Sequence, residues 1–268
     1  MSSIAASYVP SADAPEAPVA PLLAKTTPII FVVPAFDEEQ NLPRLFADLE
    51  SRPALFPPDS LLIVVDDGSR DGTTAIVEEY AGPLPVELVR LPRHLGPGAA
   101  FRAGFSTALE RSTREALIVT LEADTTSDLD ALPAMLARAR AGADLVLASW
   151  VMVNVSRLRR VLSDGAALIV RRVLGIEAHT VSSFFRVYRA SCLRRASARY
   201  GDTLIREPGF ACKAELLAKI AAIGARIEEV PVGLDTSRRI GESKMPVFRT
   251  VLAYWRMMAR QRLERLAA

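Results

Sequence analysis

The spacing of apolar runs predicts an α/β fold on a mostly parallel, doubly wound sheet. Three observations carry this. Short runs recur through the first part of the chain, at Pro28–Pro34, Leu61–Val65, Val86–Leu91, Leu117–Leu121 and Asp144–Ala148. Apart from Val86–Leu91, which carries Glu87 and Arg90, they are continuous rather than alternating, as strands covered on both faces are. Segments with helical spacing separate them, and that alternation is how a parallel sheet is wound.

Met1–Thr27, rich in Ala, Pro and Ser, reads as a loosely attached arm. The first strand, PIIFVVP, runs into Ala35-Phe36-Asp37-Glu38-Glu39-Gln40-Asn41 and then the helix LPRLFADLE. A helix dipole favours acids at its start, which accounts for part of Asp37–Glu39. It does not account for Phe36 at a strand's carboxyl end, where an aromatic face can stack on a base. The second strand ends in Asp66-Asp67-Gly68-Ser69-Arg70-Asp71-Gly72, with Thr73 placed to start the helix TTAIVEEYA. Two acids at a buried strand end are costly without donors, and a base or ribose presents donors. After the third strand, Gly96-Pro97-Gly98 opens a small-residue helix through Gly104, where close backbone approach is permitted; the third glycine of a dinucleotide fingerprint is missing. His94 is expected only to be a surface-loop residue.

The central strand ends in Glu122-Ala123-Asp124. Residues i and i+2 of an extended segment point the same way. Two carboxylates then share one volume where open α/β sheets bind ligands. Like charges so close call for a proton or cation, and a hard divalent ion bridging to phosphate suits them. Beyond lie a helix over Asp128–Arg140, a basic amphipathic segment over Ser156–Gly175, an extended segment over Thr180–Tyr188, a helix over Gly209–Ile223, a strand over Ala225–Val232 ended by Pro231, a polar loop over Ser237–Lys244 and a helix over Pro246–Leu266.

The chain has 268 residues, 50% hydrophobic and 24% charged, in the range of a soluble globular protein. Net charge is +2, too low for a global nucleic-acid field, although ten arginines lie between Val151 and Tyr200 against only Asp164 and Glu177. The two cysteines and two histidines are not read as a Cys/His zinc site; the cysteines read as core residues in a reducing compartment. No signal peptide and no run of about 20 apolar residues is evident.

Several motifs, in order, are similar to those of family 2 glycosyltransferases with the A-type nucleotide-sugar fold, above all the dolichol- and polyprenyl-phosphate sugar synthases. They are VVPAFDEEQNLPRLF, IVVDDGSRDGT, GPGAAFRAGF, LEADTTSD, RRVLSDGAALIVRRVLG, FFRVYR, EEVPV and RRIGESK. The resemblance runs from Ile29 to the tail. It implies that Pro34, Phe36, Glu38, Val65, Asp67, Glu122, Ala123 and Asp124 hold the nucleotide sugar, with Mg2+ or Mn2+ on Glu122 and Asp124. It implies an acceptor phosphate gripped by Arg159 and Ser163, and Arg238 and Lys244 closing over the phosphates; Asp124, Arg159, Arg238 and Lys244 would form the catalytic set. Glu122 stands where the family usually has aspartate, Thr126 where it has glutamine, Trp150 where it has arginine and Thr180 where it has aspartate.

The expected organisation is an arm (1–27), a catalytic domain (28–244, a nucleotide-sugar half to 150 and an acceptor half after it) and a C-terminal amphipathic helix (245–268). The expected activity is metal-dependent, inverting hexose transfer from a GDP-mannose- or UDP-glucose-type donor to polyprenyl phosphate. The protein would be cytoplasmic, peripheral at the membrane face, with the terminal helix packing on the core, on lipid or on a second copy. A family 2 enzyme with another acceptor, a nucleotide-sugar-binding scaffold and a dinucleotide-dependent oxidoreductase are the alternatives.

Overall fold

The computed structural model describes residues 27–151, 180–181, 183–233, 240 and 247–267. Within them, seven strands form one sheet in the order β3–β2–β1–β4–β6–β5–β7. The strands are β1 (Ile29–Ala35), β2 (Leu61–Asp66), β3 (Val86–Arg90), β4 (Leu117–Thr120), β5 (Leu145–Val151), β6 (Arg186–Arg189) and β7 (Ile227–Gly233). The first four pair in parallel, as do β5 and β7. The exception is β6, antiparallel to both neighbours. The extended segment expected over Thr180–Tyr188 thus becomes a strand only from Arg186, and it runs against the rest.

Helices cover both faces: α1 (Leu42–Glu50), α2 (Thr73–Glu78), α3 (Pro97–Arg111), α4 (Leu132–Arg140), α5 (Ala190–Tyr200), α6 (Cys212–Ala222) and α7 (Val247–Ala267). Alternate strand residues feed opposite layers. Ile30 and Val32 of β1 pack with α3, α5, α6 and Met257–Met258 of α7, whereas Ile29, Phe31 and Val33 pack with α1, α2 and α4. Burial on both sides explains why β1, β2 and β4 lack a polar face. Gly104 is where α3 touches the sheet. A Cβ there would lie 2.4 Å from Val32 Cγ1.

Thr73 starts α2 as expected; its N–H goes to Asp71 Oδ1 at 3.0 Å, and its hydroxyl accepts the Glu38 N–H at 2.7 Å. Two local expectations change. The acids Asp37–Glu39 precede α1 and leave its first turn without acidic residues, so the helix dipole is not what holds them. Pro231 does not end β7, which continues to Gly233. That strand is an edge, where a missing N–H is tolerated. Cys192 and Cys212 are free thiols buried in the core.

Candidate active site

The carboxyl ends of β1, β2 and β4 lie side by side, since Ala35 pairs with Asp66 and Val32 with Thr120. The loops after β1 and β2 are stitched together. Asp37 donates its N–H to Ser69 Oγ at 2.9 Å and accepts the Arg70 N–H at 2.8 Å. Glu39 donates its N–H to Asp71 and accepts the Gly72 N–H at 2.8 Å. Asp37 sits at φ +52, a left-handed conformation that this stitching holds in place. Much of the acidity of the first two loops is therefore structural.

Asp66 and Asp67 are nearly fully buried, and protein groups supply the donors that burial requires. Asp66 accepts from Ser69 N–H at 2.8 Å and from the Thr74 hydroxyl. Asp67 accepts from Leu95 N–H and Gly96 N–H, each at 2.8 Å, and lies 2.9 Å from His94 Nδ1. The loop between β3 and α3 is thus folded onto β2. Gly68 makes this possible, because a Cβ there would stand 2.5 Å from His94 N. His94 is on the surface as expected, but it is committed: its ring stacks on Phe36 with centroids 3.9 Å apart and planes 27° from parallel.

Glu122 and Asp124 follow β4. The Asp124 carboxylate is buried and accepts the Thr126 N–H at 3.1 Å and its hydroxyl at 2.6 Å. Glu122 accepts the Ser127 hydroxyl at 2.7 Å. Burial first, and then the Asp124 charge, raise the Glu122 carboxyl above its ordinary range; Ser127, the Lys213 charge and the Phe184 backbone oppose this. Thr125, between the acids and Thr126, is at φ +61.

Lys213 and Arg186 were not anticipated. Lys213 is buried, with Nζ 4.0 Å from the Phe184 ring centroid and 5.3 Å from that of Phe210. Arg186 is 1% exposed and gives its guanidinium to the carbonyls of Val181, Ser183 and Lys213. It ties the FFR segment to the start of α6 and fixes Phe184 beside the acids. Asn41 was also missed. Its amide donates to Glu38 Oε2 at 2.7 Å and exchanges two 3.2 Å hydrogen bonds with the backbone of Ile240. That places the one described residue of the late polar loop beside the first loop.

Of the remaining residues, Pro34 and Val65 are paired across β1 and β2; Val65 is fully buried in the core, and Ala123 is buried after β4. Phe36 and Glu38 are half-buried at the same edge. Thr180 bonds the Ser149 hydroxyl at 3.0 Å and Glu229 Oε1 at 2.9 Å. Arg159, Ser163, Arg238, Lys244 and the Ser156–Gly175 segment lie outside the described residues, as does the Trp150 side chain.

The donor set offered to a metal is all oxygen. Among the described residues no cluster of three or more His, Cys, Asp or Glu side chains forms a metal cage. Two mutually repelling carboxylates fit a hard divalent cation that takes its other ligands from water and phosphate.

Residues 30–196 match the model of glycosyl transferase family 2. The chain is 32% identical over 223 residues to an undecaprenyl-phosphate mannosyltransferase from Micrococcus luteus, covering 81% of this chain and 87% of that protein. It is 30% identical over 223 residues to a polyprenol monophosphomannose synthase from Mycolicibacterium smegmatis, covering 81% of this chain and 80% of that protein. Glucosyl-3-phosphoglycerate synthase from Mycobacterium tuberculosis, solved with Mn2+, uridine diphosphate and glucosyl-3-phosphoglycerate, shares the fold with a TM-score of 0.61. The sequence identity is 20%, and the match covers 87% of this chain and 78% of that one. With the family model spanning more than half its length, the chain belongs to glycosyl transferase family 2 and is a glycosyltransferase.

Proposed function

We propose that the protein transfers a hexose from a nucleoside-diphosphate sugar to polyprenyl phosphate, with a divalent cation and with inversion. The observation that carries this is the Glu122–Asp124 pair at the end of β4, beside the stitched loops of β1 and β2. The names of the two relatives above support the lipid-phosphate acceptor.

In this reading Glu122 and Asp124 hold Mg2+ or Mn2+, which supplies charge stabilisation for the departing nucleoside diphosphate. Thr126 and Ser127 fix the two carboxylates so that they need not reorganise. Pro34, Phe36, Glu38, Val65, Asp67 and Ala123 form the donor-binding edge. Arg159 and Ser163 hold the acceptor phosphate, and Arg238 and Lys244 close over the phosphates. Asn41 anchors their loop through Ile240. A phosphate monoester is largely ionised near pH 7, so the acceptor needs no general base. No helix among the described residues is long and apolar enough to cross a membrane. Val251, Leu252 and Trp255 are exposed on α7 and suit contact with a lipid surface, where the acceptor resides.

The test is nucleoside diphosphate release by purified protein given a panel of UDP- and GDP-sugars, polyprenyl phosphate and Mg2+ or Mn2+. Release with one donor that requires both lipid and metal is the expected result. Release unaffected by omitting the lipid would refute the acceptor, and release in excess chelator would refute the metal.

A further inference from the structure

We propose that His94 reads the nucleobase of the donor, adding a stacking surface to Phe36 and presenting Nε2 as an acceptor for the imide N–H that uracil and guanine share. This rests on the nucleotide-sugar reading above and adds a base-contacting residue to it.

Three restraints hold His94. Its backbone is pressed against Gly68, where a Cβ would lie 2.5 Å from His94 N and 2.4 Å from Arg93 C. Its ring lies on Phe36, 3.9 Å between centroids. Its Nδ1 is 2.9 Å from Asp67 Oδ2. Yet about half of the side chain faces solvent, against 4% for Asp67. A surface histidine with no task has no reason to be locked on three sides. This one sits at the carboxyl edge of the sheet, beside Phe36 and within the loop that precedes α3.

The Asp67 contact also fixes the chemistry. A carboxylate only accepts, so in the neutral ring the proton stands on Nδ1 and the lone pair on Nε2. Asp67 already accepts from Leu95 and Gly96 and is too buried to meet a base broadly. His94 carries its acceptor character outward. An Nε2 lone pair welcomes the N3–H of uracil or the N1–H of guanine. The same ring positions in cytosine and adenine are acceptors, and they would oppose it. The Phe36–His94 stack leaves no gap for a base between the rings, so the base lies on the outer face or edge of the histidine.

The experiment is calorimetric titration of UDP, GDP, CDP and ADP, with Mg2+, into the full chain and into His94→Phe and His94→Ala. Wild type should bind UDP or GDP roughly tenfold or more tightly than CDP and ADP. His94→Phe, which keeps a ring on Phe36, should lose that preference by weakening the imide nucleotide alone. His94→Ala should weaken all four by roughly a further tenfold, as one stacking surface goes. Two results overturn the inference while sparing the donor reading: a wild type that binds diphosphates without preference between imide and non-imide bases, or a His94→Phe that retains the preference. A wild type that binds none of the four would overturn both.

Discussion

Glu215→Gln tests whether the described half of the site is held from behind. Glu215 is fully buried on α6 and collects four donors. Oε2 accepts the N–H groups of Arg206 and Glu207, each at 2.8 Å, and Oε1 accepts Lys219 Nζ at 2.8 Å and Arg260 Nη2 at 3.1 Å. An amide has only one accepting end. If its NH2 faces Arg206 and Glu207, two backbone donors are orphaned; if it faces Lys219 and Arg260, a buried ammonium meets a donor. Removing one partner of a buried ion pair costs about 3–5 kcal/mol. Arg260 keeps Glu207 at 2.8 Å, and Lys219 keeps the carbonyls of Thr203 and Leu204. The loss should therefore fall near the lower end, about 3 kcal/mol. For a chain of this size that lowers Tm by roughly 6–12 °C. Urea unfolding and thermal melts read it directly. Glu215→Leu combined with Lys219→Met, which removes acid and base together, should be less destabilised than Glu215→Leu alone. The loss should also reach the ligand edge. Pro208 O accepts the Gly98 N–H at 2.8 Å, and Gly96 and Gly98 lie directly on the Glu207–Pro208 backbone. A destabilisation below about 1 kcal/mol would refute the argument that the Glu215 carboxylate anchors the whole segment by satisfying these four donors.

Asp124→Asn should abolish turnover while leaving the melting temperature near wild type, since Thr126 can still donate to the amide oxygen; near-normal activity would remove the metal reading. Asn41→Ala removes two neutral hydrogen bonds to Ile240 and one to Glu38, the neutral pair being worth about 1–3 kcal/mol; it should raise the donor KM by roughly tenfold and lower Tm by roughly 2–12 °C. Gly98→Ala would put a Cβ 1.9 Å from the Glu207 carbonyl oxygen; it should cost about 1–3 kcal/mol or more and weaken donor binding with it. Burial raises the Cys192 thiol from 9.0 to about 11 and the Cys212 thiol to about 12. Below pH 9 both states keep these protons. Above it the unfolded chain releases them and the folded one does not, so stability should fall as pH rises from about 9 toward 11–12. The thiols should resist alkylation until the protein unfolds.

The parts of the fold that were legible are those where one local rule governs. β1, β2 and β4 are buried on both faces, and continuous apolar runs say so. The direction of β6 leaves no trace in hydrophobic pattern, because an antiparallel strand between buried neighbours has the same composition as a parallel one. α5 was invisible for another reason. Its buried residues, Ala190, Cys192, Leu193 and Ala196, are mostly small, and arginines fill much of the remainder. The arginines of β6 and α5 bear on the charge excess read between Val151 and Tyr200. Arg186 is enclosed among carbonyls. Arg189 donates to the carbonyls of Ala139 and Ala143, and Arg194 to those of Leu109 and Ser112, at the carboxyl ends of α4 and α3. Cations there satisfy orphan carbonyls and favour the helix dipole. Composition cannot separate an arginine spent on a helix end from one offered to an anion.

The acids of the second loop show the same limit from the other side. Buried aspartates at the end of β2 do need donors, and that much follows from their position alone. Which donors they find depends on where the loop after β3 returns in space. It returns over Gly68, so Asp67 is satisfied by Leu95, Gly96 and His94 before any ligand arrives. A carboxylate already engaged in this way does not pay a desolvation cost when a nucleotide covers it, and it is pre-oriented rather than awaiting a partner. On this view the structural and ligand-binding readings of Asp67 are not rivals. The hydrogen bonds that build the loop also set the histidine at its rim, and a base would meet that histidine before it met the aspartate.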